Sequence, residues 1–209
     1  MGRKALTIKL NATDLTLFRG DRCLFKDLSF ALNPGELLLL EGKNGSGKTS
    51  LLRAIAGLLE LESGAIYWND LPVSKEPQVF QNSLVWMSHK VGFKGDLTLV
   101  ENLQYESKLR PPSTADFDDT LKQLNLGKLR RLPMRSLSAG QQRRVALARM
   151  LMSSATLWMM DEPVSNLDSE GRELAIRLLG KHLSDGGMAI VAAHQDINLD
   201  VPTQKIQLQ

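Results

Sequence analysis

The sequence predicts an α/β fold: a parallel sheet with helices, an antiparallel β region near the start and a helical insertion in the middle. Three observations carry it. The apolar run Leu37, Leu38, Leu39, Leu40 leads into a glycine-rich loop and then a helical pattern, one strand–loop–helix unit. Strand, helix and strand alternate between residues 155 and 193, as in a parallel sheet with crossover helices. Residues 97–152 change to helical periodicity.

Taken in order, residues 5–17 alternate polar and apolar, with Leu6, Ile8 and Leu10 on one side, and read as a half-exposed strand. Phe18-Arg19-Gly20-Asp21 reads as a turn, and residues 24–32 as a second strand ended by Asn33-Pro34-Gly35. Cys23 lies in that apolar stretch and reads as a core thiol. A single cysteine permits no disulfide within the chain, which suits the cytoplasm. After residues 37–40, a helix over residues 50–57 repeats Leu51, Leu52, Ile55 and Ala56 at helical spacing, and residues 65–68 form a short strand. Residues 69–82 are polar, contain Pro72 and Pro77, and read as loop. Residues 83–88 read as a strand and residues 89–96 as a glycine- and lysine-bearing loop. The helical segments that follow break at Pro111-Pro112 and resume over residues 116–126, with Phe117, Leu121 and Leu124 on one face. Residues 155–160 are an apolar strand, 169–183 a helix stopped by Gly186-Gly187, 188–193 a strand and 205–208 a final strand. This order fits one domain over residues 1–209, with residues 89–154 as a helical subdomain within it.

The chain has 209 residues, 43% hydrophobic and 23% charged, so a soluble globular domain with a substantial core is expected. The net charge of +3 is too slight to argue for nucleic acid, and no basic tract is visible, so no nucleic-acid partner is expected. No apolar run approaches 18 residues, and the first ten residues lack the apolar core of a signal peptide. Work at a membrane would therefore go through a partner.

The loop Gly42-Lys43-Asn44-Gly45-Ser46-Gly47-Lys48-Thr49 has the P-loop pattern: Gly, four residues, then Gly-Lys-Thr. Its glycines let successive N–H groups turn inward around phosphate oxygens, and the helix that follows adds its positive end. Lys48 reaches the β- and γ-phosphates in this reading, and Thr49 places its hydroxyl on Mg²⁺. The candidate nucleotide-binding run extends through Ser50. A second motif is the apolar strand Leu157-Trp158-Met159-Met160 that delivers Asp161 and Glu162 at its end. Asp161 offers a hard oxygen for Mg²⁺, and Glu162 is placed to polarise a water as general base. A bland alternative is a strand end capped by two solvated acids. A third motif is Leu137-Ser138-Ala139-Gly140-Gln141-Gln142, where Ser138 and Gln141 have capping-box spacing. The small Ala139 and Gly140 leave the N–H groups of that first helical turn open to an anion.

These motifs, with Ser165-Asn166-Leu167-Asp168 and His194, resemble in order and spacing those of ATP-binding-cassette (ABC) ATPases, over essentially the whole chain. The resemblance implies a RecA-like P-loop NTPase core with an antiparallel β subdomain and a helical ABC-type subdomain. It implies ATP and Mg²⁺ as cofactors and a head-to-tail dimer with a second copy of this chain. ATP would lie between the P-loop of one copy and Ser138, Gly140 and Gln141 of the other, with Asp168 at the seam. His194 would contact the γ-phosphate. Two positions depart from the family pattern. His89 stands where a glutamine usually meets Mg²⁺, and Arg19 falls where an aromatic usually stacks on adenine; a guanidinium can also stack on a base.

Within the family, Trp86-Met87-Ser88-His89, Leu97-Thr98-Leu99-Val100-Glu101-Asn102-Leu103 and the string from Leu137 to Arg149 most resemble the ATP-binding subunits of haem-exporter-type transporters of bacterial cytochrome c maturation. That implies integral-membrane partner subunits, docked through residues 89–154, and a peripheral place on the cytoplasmic face of the inner membrane. Export of another substrate, or a soluble ABC ATPase acting on nucleic acid or ribosomes, are the alternatives.

Overall fold

The structure is a computed structural model that describes residues 8–109, 111, 113–194 and 197–209. The start of the first expected strand, residues 5–7, and Pro112 lie outside the described residues. Two sheets form the frame. Strands β1 (Leu10–Arg19), β2 (Arg22–Leu32), β4 (Ser63–Trp68) and β5 (Leu71–Pro72) make an antiparallel sheet in the order β2-β1-β4-β5. Strands β3 (Leu37–Glu41), β6 (Leu84–Met87), β7 (Leu157–Asp161), β8 (Met188–Ala192) and β9 (Thr203–Gln207) make a parallel sheet in the order β6-β7-β8-β3-β9.

The inner strands β3, β7 and β8 and the strand β6 are apolar up to their last residue because both faces are covered. The edge strand β9 (Thr-Gln-Lys-Ile-Gln) is instead mostly polar and exposed. Leu37 and Leu39, Trp158 and Met160, and Ala189 and Val191 enter one core. The alternate residues, Leu38 and Leu40, Leu157 and Met159, and Met188 and Ile190, enter the other. The second core is closed by α1 (Lys48–Ile55), through Leu51, Leu52 and Ile55, and by β1 and β2 of the antiparallel sheet. The first core is closed by α3 (Leu99–Lys108), α4 (Phe117–Gln123), α5 (Ala139–Leu151) and α6 (Ser169–Ser184). No helix among the described residues is long and apolar enough to cross a membrane.

Three local expectations are corrected. Residues 69–82 are not all loop: they hold β5 and the short helix α2 (Pro77–Ser83). Pro77 occupies the first turn of α2, where its missing N–H costs nothing. Phe80 holds the helix down, fully buried with its ring 5.4 Å from that of Trp68. Phe18 and Arg19 belong to β1, paired with Cys23 and Arg22, so the turn is only Gly20-Asp21. Cys23 is exposed rather than a core thiol. The pairing of β1 with β2 slips between Leu17 and Phe18, which leaves Phe18 and Cys23 outside while Leu24 and Phe25 both turn inward.

Candidate functional site

In a parallel sheet all strands send their C-terminal loops to the same edge, where ligands of α/β domains bind. Here the register brings Leu40, Asp161 and Ala192 into line. The loops after β3, β6, β7 and β8 therefore meet along one cleft of about 510 Å³. Asn44, Gly45, Gly47, Lys48, Thr49 and Ser50 form its floor, and His89, Asp161, Glu162 and His194 enter from the other loops. Arg19 enters from the antiparallel sheet.

The loop backbone explains its glycines. Gly42, Gly45 and Gly47 take φ of 142°, 81° and 106°, the region that side chains avoid. A side chain at Gly42 would also collide with the Leu208 carbonyl and with Ser46 Oγ. Gly42, Lys43 and Ser46 shape the loop without lining the cleft: Lys43 is exposed, and Ser46 is buried with its hydroxyl unpaired among the described residues. Gly47 caps α1 without a side-chain bond, and no acid sits in the first turn, so the helix start is open to an anion. Lys48 is nearly buried, and its ammonium donates to the Gly42 carbonyl at 2.6 Å and the Lys43 carbonyl at 3.1 Å.

Thr49 Oγ1 donates to Asp161 Oδ2 at 2.8 Å, which joins two motifs 112 positions apart. Asp161 is 3% exposed. Glu162 has φ of 53°, a left-handed conformation that costs a non-glycine residue roughly 1–2 kcal/mol. Its N–H donates to the Ala192 carbonyl at 2.8 Å. Its Oε1 lies 3.3 Å from His194 Nε2, close enough for an ion pair but without hydrogen-bond geometry, so that oxygen has no hydrogen-bond donor among the described residues. A buried carboxylate oxygen with an open lone pair is what a water-polarising group requires.

Ser138, Gly140 and Gln141 do not reach this cleft. They line a second one of about 590 Å³ together with Asn125, Leu129, Arg144, Asn166 and Asp168, and no residue lines both. Ser138 starts α5 with the expected capping box: its hydroxyl accepts from the Gln141 N–H at 3.2 Å, and the Gln141 side chain accepts from the Ser138 N–H at 2.9 Å. The N–H groups of Ala139 and Gly140, in the first turn, have no intrahelical acceptors. Gly140 is required because a Cβ there would stand 2.7 Å from the Asn166 carbonyl. Asp168 caps α6 through the Gly171 N–H at 2.9 Å and pairs with Arg144 at 3.0 Å, and these hold its carboxyl below the usual range, the backbone bond most.

Three residues at the first cleft, Arg53, Ser165 and Arg143, have no site role assigned from the sequence, although Ser165 and Arg143 fall within motifs that carry the family resemblance. Arg53 lines it from the second turn of α1, four positions after Thr49 and so on the same face. Ser165 lines it from the loop after β7. Arg143 is buried beneath it, and its side chain donates, among the described residues, to oxygens 18 to 55 positions away in the chain. Burial pulls its pKa down, opposed by the nearby Asp161 and Glu162 charges.

Fold and site together define a nucleotide-binding P-loop domain whose phosphate loop, strand-end carboxylates and histidine share one cleft, with a capped, anion-ready helix start outside it. A family model described as ABC transporter matches residues 25–165. The chain belongs to the ABC transporter ATP-binding family and is an ATP-binding, ATP-hydrolysing cassette. Similar proteins include the cytochrome c biogenesis ATP-binding export protein CcmA of Vibrio parahaemolyticus, 41% identical over 202 residues that cover 95% of this chain and 98% of that one. A protein of the same name from Nitrosomonas europaea is 41% identical over 196 residues, covering 93% and 92%. Among solved structures, a putative ABC transporter ATP-binding protein from Pyrococcus furiosus superposes with a TM-score of 0.81 at 22% identity, over 94% of this chain and 96% of that one. A dimeric ATP-binding cassette in a post-hydrolysis state, bound to ADP and Pi, superposes with a TM-score of 0.77 at 23% identity, over 89% and 88%. These two share the fold.

Proposed function

We propose that this chain is the ATP-hydrolysing subunit of a haem-exporter-type transporter of cytochrome c maturation, working as a pair of copies beneath integral-membrane subunits. The observation that carries the catalytic part is the cleft that gathers Lys48, Thr49, Asp161, Glu162 and His194, with Thr49 bonded to Asp161 at 2.8 Å. The name shared by relatives at about 40% identity and over 90% coverage supports the cytochrome c part.

The phosphates of ATP rest on Gly45 to Ser50, with Lys48 turned from the loop carbonyls to the β- and γ-phosphates. Thr49 and Asp161 would hold Mg²⁺: their oxygens are the hard donors it prefers, and they lie together at the cleft, 2.8 Å apart. The ion, when bound, offsets charge on the transferred phosphoryl group. Glu162 accepts a proton from the attacking water, His194 contacts the γ-phosphate and steadies that water, and His89 adds a ligand or hydrogen bond from the facing loop. Arg19 stacks on the base. Ser138, Gly140 and Gln141 of the second copy close over the γ-phosphate, which accounts for their lying outside the first cleft within one chain. Residues 89–154 act as the helical subdomain that receives the membrane subunits, placing the protein peripherally on the cytoplasmic face of the inner membrane.

Two experiments test this. Lys48→Ala removes ATP hydrolysis, whereas Glu162→Gln binds ATP and does not turn it over; a Glu162→Gln enzyme at the parental rate refutes the base. In cells that lack the gene, haem-stained c-type cytochromes disappear and return with the parental chain but not with Glu162→Gln. Unchanged cytochromes on deletion refute the pathway while leaving the ATPase reading intact.

A further inference from the structure

Arg143 lies early in α5, is 3% exposed, and joins two loops of the catalytic edge. Its Nη1 donates to the Ser88 carbonyl at 3.0 Å and the His89 carbonyl at 3.4 Å, both just after β6. Its Nη2 donates to the Asp161 carbonyl at 2.8 Å, to the Glu162 carbonyl and to Ser165 Oγ at 3.0 Å, all at or after the end of β7. A guanidinium is a rigid plane with its donors at fixed angles. The segment after β6 and the backbone of Glu162 are thus fastened to one plate.

The Glu162 backbone is held from both ends. Its N–H is bound to Ala192 on β8, its φ is 53°, and its carbonyl accepts from Arg143 and Ser165. These bonds fix the point of the backbone from which the Glu162 side chain starts. Arg143 does not line the nucleotide cleft. We propose that Arg143 is a positioning residue for hydrolysis: it ties the Ser88–His89 segment to the Glu162 backbone and so holds the Glu162 carboxylate in the attack position. The inference rests on the reading of Glu162 as the base. Its chemical signature is an effect on turnover that spares nucleotide binding.

The test is Arg143→Lys in the full chain, measured for steady-state ATP hydrolysis, ATP affinity and thermal unfolding, with Arg143→Gln and Glu162→Gln alongside. A lysine keeps the charge but reaches only one of the two loops; a glutamine does the same without a buried charge. Both variants are expected to fold, to lose about tenfold or more in kcat and to keep KM for ATP within about twofold. Parental kcat in either folded variant overturns the proposal. So does a parallel loss of kcat and ATP affinity, or failure of both variants to fold, because each marks Arg143 as structural support only. If Glu162→Gln itself turns over at the parental rate, the base reading fails instead.

Discussion

Replacing Thr49 by valine removes one hydroxyl and little else, since the two side chains have nearly the same shape. The hydroxyl donates to Asp161 Oδ2 at 2.8 Å, and Asp161 is 3% exposed, so water cannot fully replace the lost donor. A hydrogen bond to a charged acceptor contributes about 1.5–3 kcal/mol, so urea unfolding of Thr49→Val without nucleotide should show a stability loss of that size. The midpoint should fall with the slope unchanged, because no new surface is exposed. A second readout separates structure from binding. Magnesium-ATP at a hundredfold over its dissociation constant should stabilise the parent by about 2.7 kcal/mol and the valine variant by much less. Thr49→Ser keeps the hydroxyl and should recover most of both effects. If Thr49→Val unfolds like the parent and is stabilised equally by magnesium-ATP, the argument that this bond joins the phosphate loop to the carboxylate strand is refuted.

Other variants test the second cleft and the core. Gly140→Ala gains about 1 kcal/mol of helix propensity but sets its methyl 2.7 Å from the Asn166 carbonyl, an overpacking cost of about 1–3 kcal/mol. Thermal melts should therefore show net destabilisation, whereas Gly180→Ala in α6, where a Cβ meets only the end of the Leu199 side chain at 3.2 Å, should be neutral or stabilising. His182 is stacked on Trp158 with ring centres 4.1 Å apart, and burial lowers its pKa below the ordinary 6.5. The unfolded chain then binds the proton more readily, so stability is complete above about pH 6.5 and falls as pH drops below it. Urea titrations at pH 7.5 and 5.5 should show a smaller acid loss for His182→Gln than for the parent.

The parts of this molecule that were readable in the sequence are those where local chemistry and final environment agree. Leu37, Leu38, Leu39 and Leu40 read as a buried strand because both faces of the parallel sheet are covered. Gly42, Gly45 and Gly47 read as a phosphate loop because their conformations exclude other residues. Ser138 and Gln141 announced a capped helix, which is a contact three residues long. The failures are contacts made at a distance. Nothing near Pro77 reveals that Phe80 will meet Trp68, so α2 reads as loop. A slip in strand pairing, which no residue pattern marks, put Cys23 outside. Arg143 bonds chiefly to backbone carbonyls 18 to 55 positions away, and every residue type has a carbonyl, so its acceptors leave no trace in composition or spacing.

The central claim is that the phosphate loop of one copy is completed by the Ser138 helix start of another. It is tested most directly by mixing two inactive chains, Lys48→Ala and Ser138→Arg, and measuring ATP hydrolysis. Each alone has both composite sites broken. In the mixed pair, the sound phosphate loop of the Ser138→Arg chain faces the sound helix start of the Lys48→Ala chain, so hydrolysis should reappear. If the helix start served the phosphate loop of its own chain, no pairing would contain a whole site, and the mixture would be as inactive as its parts.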